Sequence, residues 1–223
     1  MNQWDQFLTP YKQAVDELKV KLKGLRKQYE VGEHNSPIEF VTGRVKPISS
    51  VIDKANKRGI PFDCLHEEMY DIAGLRIMCQ FVDDIDIVVD ILRQRQDFKV
   101  IEERDYIRNT KESGYRSYHV VVEYPVQLVT GEKIILAEIQ IRTLSMNFWA
   151  TIEHSLNYKY QGVFPEEMKE RLQRAAEAAY LLDEEMSSIR EEIQEAQHYF
   201  SHGRGLLENE YYKQIKNETP ENQ

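Results

Sequence analysis

Two acidic residues lie in segments that are otherwise typical of buried β-strands. Asp71 opens the apolar stretch "DIAGLRIMCQFV", and Glu138 lies inside "LAEIQIRT". Carboxylates are rarely buried without a cation or a metal ion beside them. A strand-end aspartate and a mid-strand glutamate suit Mg²⁺, which takes one or two carboxylates and completes its shell with phosphate oxygens. Ordinary ion pairs with neighbouring arginines would explain the same pattern, and both interpretations remain open at this point.

The segment around Glu138 alternates between polar and apolar residues. Ile139 and Ile141 point to one face of the predicted strand, while Glu138, Gln140 and Arg142 point to the other. A sheet with one solvated face accounts for this alternation unless other segments direct matching chemistry to the same place.

The position of Asp71 relative to its strand has two solutions. Asp71 and Arg76 are five residues apart and cannot share a face of one regular strand. Either Gly74 allows a bulge that turns one of them, or Asp71 lies before the strand.

The segment "KESGYRSYH" combines cationic and aromatic residues. Lys111, Arg116 and His119 supply positive or donor groups, and Tyr115 or Tyr118 supplies a flat ring. Rings beside cations are what a nucleobase with attached phosphates requires. A solvated loop that leads into a strand is the simpler alternative.

A basic cluster near the front of the chain could bind an anion or form a solvated face. Its members are Arg44, Lys46, Lys54, Lys57 and Arg58. Residues 1–58 contain 11 lysines and arginines against 7 acidic residues, whereas residues 165–223 contain 7 against 14. The front of the chain is therefore expected to attract nucleotide phosphates or RNA, and the acidic end to repel them.

The spacing of apolar residues predicts helices and strands that alternate along the chain. We predict helices over about 10–29, with Thr9 as N-cap and Pro10 in the first turn, over 47–58 before Gly59, from Asp83 onward, and in "NFWATIEHSLNYKY". Strands are predicted in "IEFVTGRVK", in "DIAGLRIMCQFV", near 98–103, and in a hairpin around "VTG". Residues 104–117 are predicted to form a surface loop.

Beyond Pro165 a heptad pattern predicts a long helix that packs against another helix. Its apolar positions alternate gaps of three and four: Leu172, Ala175, Ala179, Leu182, Met186, Ile189, Ile193, Ala196 and Phe200. We expect one domain over 1–200 with an oligomerisation helix at 165–200, and a polar, flexible tail at 201–223.

Several classes of protein are disfavoured by composition. The two cysteines, Cys64 and Cys79, have no CxxC spacing, and no stretch approaches the roughly 20 apolar residues of a membrane span. A pI near 5.3 argues against general DNA binding. There is no GxxxxGK[ST] loop and no GxGxxG. We therefore expect a cytoplasmic protein without a membrane partner.

Taken together, the motifs resemble a known family. "FVTGRVK", "DIAGLRIMCQFVDD", "TKESGYRSYH", "EIQIRT" and "NFWATIEHSLNYKY" occur in this order and are similar to the motifs of small alarmone synthetases, the stand-alone GTP pyrophosphokinases of the RelA/SpoT family. The resemblance runs from about residue 4 to 200. It implies an α+β fold with a nucleotidyltransferase-like mixed sheet of about five strands flanked by helices.

The resemblance also implies an activity. Family members transfer the β,γ-pyrophosphate of ATP to the 3′-hydroxyl of GTP or GDP, forming pppGpp or ppGpp and AMP. Stand-alone members can form homotetramers, and some bind pppGpp as an activator; single-stranded RNA is a candidate regulator. The hydrolase domain of the long family members has no room here, so we expect synthesis without hydrolysis.

Roles for individual residues follow from the resemblance alone. Asp71 and Glu138 match the family's Mg²⁺ ligands, and Glu138 matches the group that activates the 3′-hydroxyl. The ATP site would be formed by Arg44, Lys46, Ser50, Lys54 and Arg76. The GTP or GDP site would be formed by Lys111, Tyr115, His119 and Gln140. A pppGpp cleft would include Lys19, Lys23, Phe40, Thr42 and Asn147.

Three other functions remain as alternatives. A nucleotidyltransferase that moves a nucleoside monophosphate would release pyrophosphate rather than AMP. An RNA-binding module would leave the two carboxylates structural. A purely structural role would rest on the heptad pattern and leave Asp71 and Glu138 unexplained.

Overall fold

The computed structural model of the chain describes residues 3–32, 35–160 and 164–218. Its helices are α1 (Gln3–Val31), α2 (Ile48–Arg58), α3 (Leu65–Glu68), α4 (Asp83–Arg93), α5 (Leu144–Lys159) and α6 (Glu166–Glu218). Its strands are β1 (Phe40–Val45), β2 (Ala73–Cys79), β3 (Lys99–Asp105), β4 (Tyr118–Leu128) and β5 (Gly131–Thr143). No helix within these ranges is long and apolar enough to cross a membrane.

The five strands form one mixed sheet in the order β1-β2-β5-β4-β3. β2 and β5 run parallel, and the other neighbours are antiparallel. The predicted fold class is confirmed: a five-stranded mixed sheet, flanking helices and a long C-terminal helix. The predicted hairpin is β4 and β5. The loop predicted over 104–117 begins two residues later, because β3 continues to Asp105.

Helix α1 begins at Gln3, two turns earlier than its predicted start. The assignment of Thr9 as N-cap and Pro10 to the first turn is wrong, because both residues lie inside the helix. An internal proline removes one backbone hydrogen bond. Aromatic packing compensates, since Phe7 in the added turns lies 5.7 Å from the ring of Phe62.

One face of the sheet is buried under α1 and α4. The apolar residues of β5, including Ile139 and Ile141, are fully buried on this face. Helix α1 approaches β1 so closely that a Cβ on Gly43 would lie 2.9 Å from Val15 Cγ1. A larger residue at this position would push the helix away, so the glycine sets the distance between helix and sheet. The opposite face is left for polar side chains.

Helix α6 continues past the predicted end at residue 200. The chain divides into two compact units, 1–183 and 184–223, and the division falls inside this helix. Its backbone is helical through Glu218, so the predicted tail from Ser201 begins as helix. The side chain of Phe200 and residues 219–223 lie outside the described residues. The predicted domain boundary at 200 and the flexibility of the tail stay predictions.

Candidate active site

A row of polar side chains crosses all five strands on the face away from α1. Residues paired in register share a face of the sheet. The row consists, from edge to edge, of Thr42, Arg76, Gln140, His119 and Arg104. The alternation in "LAEIQIRT" is therefore confirmed, and its polar face forms the floor of a site rather than a merely solvated surface.

A second row of paired residues lies two residues along the strands from the first, on the same face. It consists of Arg44, Gly74 and Glu138. Because Gly74 has no side chain, space remains between the arginine and the carboxylate. A cavity of about 250 Å³ lies here. It is lined by Thr42, Gly43, Arg44, Lys46, Asp71, Gly74, Leu75, Arg76, Glu138 and Gln140. Both acidic residues singled out in the sequence thus open into one cavity.

Asp71 lies in a turn before β2, which is one of the two solutions to its spacing from Arg76. Lys46 Nζ and Lys54 Nζ both contact the same oxygen, Asp71 Oδ2, at 2.9 and 2.8 Å. The other oxygen, Oδ1, is buried and has no hydrogen-bond partner in the described structure. One half of this carboxylate is therefore paired, while the other half is available to a ligand.

Charge keeps Asp71 ionised although it is largely buried. Burial alone would raise the pKa of Asp71, but the ammonium groups of Lys54 and Lys46 outweigh it and hold the pKa below its usual range. The interpretation of Asp71 as half of an ordinary ion pair named arginines, whereas its basic partners are lysines.

Glu138 is held by two neighbours on the same face. Its Oε1 lies 3.2 Å from His119 Nδ1, and its Oε2 accepts a 2.8 Å hydrogen bond from Gln140 Nε2. Burial would raise the pKa of Glu138, but the His119 ring and the Gln140 amide lower it to below its usual range. Glu138 is therefore a fixed, ionised carboxylate with only 8% of its surface exposed.

The donor groups of the cavity fit Mg²⁺. The unpartnered Oδ1 of Asp71 and the carboxylate of Glu138 are hard oxygen ligands, and both line the cavity. No group of three or more His, Cys, Asp or Glu residues that could hold a metal occurs in the described ranges. The ion would therefore need further oxygens from a substrate, as is usual for Mg²⁺ held by one or two carboxylates.

Two arginines lie on the wall of the cavity nearest β1. Arg44 is exposed, and Arg76 Nε donates a 3.3 Å hydrogen bond to Gln140 Oε1. Burial and the guanidinium groups of Arg142 and Arg44 lower the pKa of Arg76. Like charges gathered in this way are stabilised when an anion or an aromatic ring enters between them.

Helix α2 adds a second positive feature beside β1. Its first turn has no side-chain cap, so its amide N–H groups can bind an anion. Ser50 lies in that turn, and Lys54 follows four residues later on the same side of the helix. Ser50 does not line the cavity itself, whereas Lys54 reaches Asp71.

The acceptor residues predicted in the loop form a second cluster at the other end of the polar row. The hydroxyl of Tyr115 lies 2.7 Å from His119 Nε2 and accepts a 2.6 Å hydrogen bond from Arg142. The ammonium of Lys111 lies 4.3 Å from the ring centre of Tyr106 and 4.9 Å from that of Tyr115. His119 contacts Tyr115 through one nitrogen and Glu138 through the other, so it joins the two clusters.

Two residues of this cluster were missed as site residues. Arg142 is 4% exposed and also donates to Gln140 Oε1 at 2.8 Å. Its parity with Glu138 was visible in the sequence and could have identified it. Tyr106 meets the His119 ring edge to face at 5.1 Å. No signal marked Tyr106, because its loop has no periodicity.

The residues of the expected pppGpp cleft lie on three elements. Lys19 and Lys23 are on α1, Phe40 and Thr42 on β1, and Asn147 on α5. No hydrogen bond or ion pair within the described parts of the chain joins any two of them. Asn147 Oδ1 is buried and has no hydrogen-bond partner among the residues that the structure describes. The chain by itself does not bring these five together through polar contacts, so this cleft stays a prediction.

Comparison with known proteins gives a consistent result. A family model described as "Region found in RelA / SpoT proteins" matches residues 43–163. GTP pyrophosphokinase YjbM of Bacillus subtilis is 67% identical over 201 residues, which cover 89% of this chain and 94% of that protein.

Two solved structures are similar to the chain. The crystal structure of small alarmone synthetase 1 from Bacillus subtilis bound to its product pppGpp has a TM-score of 0.83 and 66% identity, covering 86% of this chain and 98% of that one. The structure of the same enzyme bound to AMPCPP has a TM-score of 0.77 and 62% identity, with the same coverage. The family model matches more than half of the chain and the relatives agree with it, so the chain belongs to the RelA/SpoT family.

Proposed function

We infer that the chain is a GTP pyrophosphokinase. It transfers the β,γ-pyrophosphate of ATP to the 3′-hydroxyl of GTP or GDP, forms pppGpp or ppGpp, and releases AMP. The observation that carries this inference is the link through His119, whose two ring nitrogens contact Glu138 in the cation-rich cavity and Tyr115 in the aromatic cluster. Relatives that bear this name or hold pppGpp or AMPCPP support it.

The cavity near β1 and α2 is the proposed ATP site. Arg44 and Arg76 would hold the adenine between their guanidinium planes, since both line the cavity and neither is paired there with a carboxylate in the described structure. Lys46, Lys54 and Ser50, with the uncapped N-terminus of α2, would receive the phosphates.

Mg²⁺ is proposed between Asp71 and Glu138. Bound there with the phosphates, it would neutralise the charge that develops on the transferred group. The residues contribute the two carboxylates, one with a free buried oxygen and one held by His119 and Gln140.

Glu138 is the proposed acceptor of the 3′-hydroxyl proton. A carboxylate with a lowered pKa is always ionised near neutral pH but is a weak base. Most of the rate enhancement must therefore come from alignment of the two nucleotides and from stabilisation of charge. The rigid hold on both oxygens of Glu138 fits such a positioning role.

The aromatic cluster is the proposed acceptor site. Tyr115 would stack on guanine, while Lys111 and His119 would contact the phosphates of GTP or GDP and Gln140 would complete the site. The Tyr115 ring is already oriented by hydrogen bonds to its hydroxyl from two sides. Such preorganisation reduces the entropy lost when the base binds.

Assembly and regulation are further parts of the proposal. The half-exposed apolar residues Leu182, Met186 and Ile193 on α6 support a homotetramer built through this helix. Activation by pppGpp at Lys19, Lys23, Phe40, Thr42 and Asn147, and regulation by single-stranded RNA, remain predictions. The two free cysteines support a reducing, cytoplasmic compartment.

Product analysis tests the function. Purified protein is incubated with ATP, GTP and Mg²⁺, and the nucleotides are separated by ion exchange. We expect AMP and a guanosine pentaphosphate in equal amounts, reduced about 10²- to 10⁴-fold in Glu138→Gln and unchanged in Glu132→Gln, an exposed glutamate of the same strand. Release of pyrophosphate instead would favour a nucleotidyltransferase. If ATP and GTP both remain intact, with and without added pppGpp, the proposal is contradicted.

A further inference from the structure

The loop that carries the proposed acceptor residues rests against the first part of α6. We propose that residues 172–183 of α6 form a positioning element for the acceptor site, and that Arg116 is the side chain through which this element fixes the loop. The proposal rests on the proposed function, because it concerns how tightly the acceptor nucleotide binds.

The loop backbone touches the helix at Gly114. This residue has φ +84°, and a Cβ placed on it would lie 2.6 Å from Ala176 Cβ. The backbone of Gln173 would lie 3.6 Å from that added Cβ of residue 114. Only glycine fits both the left-handed conformation and the close approach. The loop is therefore packed on α6 immediately before Tyr115.

Arg116, immediately after Tyr115, is anchored to the same helix. Its guanidinium carbon lies 4.1 Å from the ring centre of Tyr180, and one of its nitrogens donates a 3.0 Å hydrogen bond to Glu177 Oε2. The side chain is only 11% exposed. Its Nε and second terminal nitrogen are buried without hydrogen-bond partners in the described structure. The stacked ring and the single ion pair thus hold a guanidinium that has lost most of its water.

The helix segment is itself fixed to the rest of the fold at both ends. Leu172 accepts a 2.8 Å hydrogen bond from Trp149 Nε1 through its backbone oxygen. Asp183 accepts a 2.6 Å hydrogen bond from Thr143 Oγ1, at the end of β5. A segment tied at both ends is a rigid support, and the loop residues that contact it share that rigidity.

Consecutive residues of the loop are therefore held by different parts of the fold. Tyr115 is bonded to the sheet side through Arg142 and His119, whereas Arg116 is bonded to α6. Loss of the α6 contacts would leave Tyr115 held from the sheet side, through its hydroxyl and through ring contacts with Tyr106, His119 and Lys111. Because no described residue of α6 lines the cavity near β1, the donor nucleotide should be unaffected.

The test measures binding of GTP without chemistry. GTP is titrated into Tyr180→Leu and Glu177→Gln by calorimetry in the absence of ATP. We expect the Kd for GTP to rise about three- to tenfold in Tyr180→Leu and about twofold in Glu177→Gln. Glu184→Gln, an exposed glutamate of the same helix, is the matched control and should bind like the unsubstituted protein. The Kd for the ATP analogue AMPCPP should stay within about twofold in every variant.

A double-mutant cycle separates positioning from general stability. If Arg116 and Tyr180 act through one contact, Arg116→Gln should weaken GTP binding much less in the Tyr180→Leu background than in the unsubstituted protein. Equal GTP affinities for all variants would overturn the proposal, as would a parallel loss of AMPCPP binding. Failure of the proposed function gives a different result. An unsubstituted protein that binds neither nucleotide and forms no AMP would overturn that function, and this inference with it.

Discussion

The two ends of the polar row are built in different ways. The end near β1 uses arginines on β1 and β2, Lys54 on α2 and Lys46 just after β1. Its centre is one carboxylate that receives two ammonium groups. The end near β3 uses aromatic rings and cations from a loop, fixed by contacts with the sheet and with α6.

This difference separates two means of preorganisation. The donor side is arranged by charge, so its response to substitution should depend on pH and on metal. The acceptor side is arranged by packing and by hydrogen bonds to a ring, so its response should depend on side-chain shape. Matched substitutions on the two sides test this contrast.

Among the substitutions that compare the two ends, the largest effect is expected for Asp71→Asn. The variant loses a negative charge beside the transferred phosphates and leaves Lys46 and Lys54 without their partner. We expect the rate of AMP formation to fall about 10²- to 10³-fold, with a higher Mg²⁺ concentration needed for half-maximal rate. Asp53→Asn, an exposed residue of α2, is the control. An unchanged Mg²⁺ dependence would contradict the proposed metal site.

A large effect confined to the acceptor is expected for Tyr115→Ala. Stacking on a base is worth about 1–3 kcal/mol, which corresponds to about a 5- to 150-fold loss of GTP affinity. Tyr115→Phe keeps the ring but loses the bonds to His119 and Arg142. Its GTP affinity should therefore lie between those of the unsubstituted protein and Tyr115→Ala. Calorimetric titration with GTP and with AMPCPP checks both variants. Equal losses for the two nucleotides would erase the contrast between the two ends.

A smaller loss of affinity, for the ATP analogue rather than for GTP, is expected for Arg44→Met. The side chain is exposed, and a cation–π contact at an exposed site is worth about 0.5–1 kcal/mol, or about a two- to fivefold loss of AMPCPP affinity. Arg58→Met, at the exposed end of α2, is the matched control. If GTP binding weakened instead, the assignment of this end to ATP would be wrong.

The smallest effect is expected on the pH dependence of the free energy of unfolding. The pKa of Asp71 is lowered in the folded protein, so its contribution to stability is present above its unfolded pKa and lost as the pH falls through the folded value. Asp71→Asn should therefore be less stable than the unsubstituted protein at neutral pH, and the two should converge on acidification. Urea unfolding across the carboxyl titration range measures this. A constant difference at all pH values would contradict the charge pairing.

Local patterns predicted the individual strands and one shared polar face. Alternation placed Glu138 and Gln140 on that face, and apolar stretches identified the strands. The five-stranded mixed sheet and the roles of single residues came from the family resemblance. The start of α1 was misjudged because aromatic packing from Phe62 overrides the proline rule. Tyr106 and the Arg116 contact with Tyr180 could not be predicted, since loop conformation and the path of α6 are set by tertiary contacts rather than by spacing.

The pairing of two lysines with one oxygen of Asp71 also affects which form of the nucleotide is favoured. Phosphates that bind Lys46 and Lys54 do not meet bare ammonium groups; they must replace the Asp71 carboxylate as counter-ion. A nucleotide that arrives alone draws Lys46 and Lys54 away and leaves Asp71 ionised, buried and uncompensated. A nucleotide that arrives with a divalent cation would compensate Asp71 with that cation while its phosphates bind Lys46 and Lys54. With ATP in the proposed site, this exchange would favour the metal-loaded over the metal-free nucleotide before any chemistry begins.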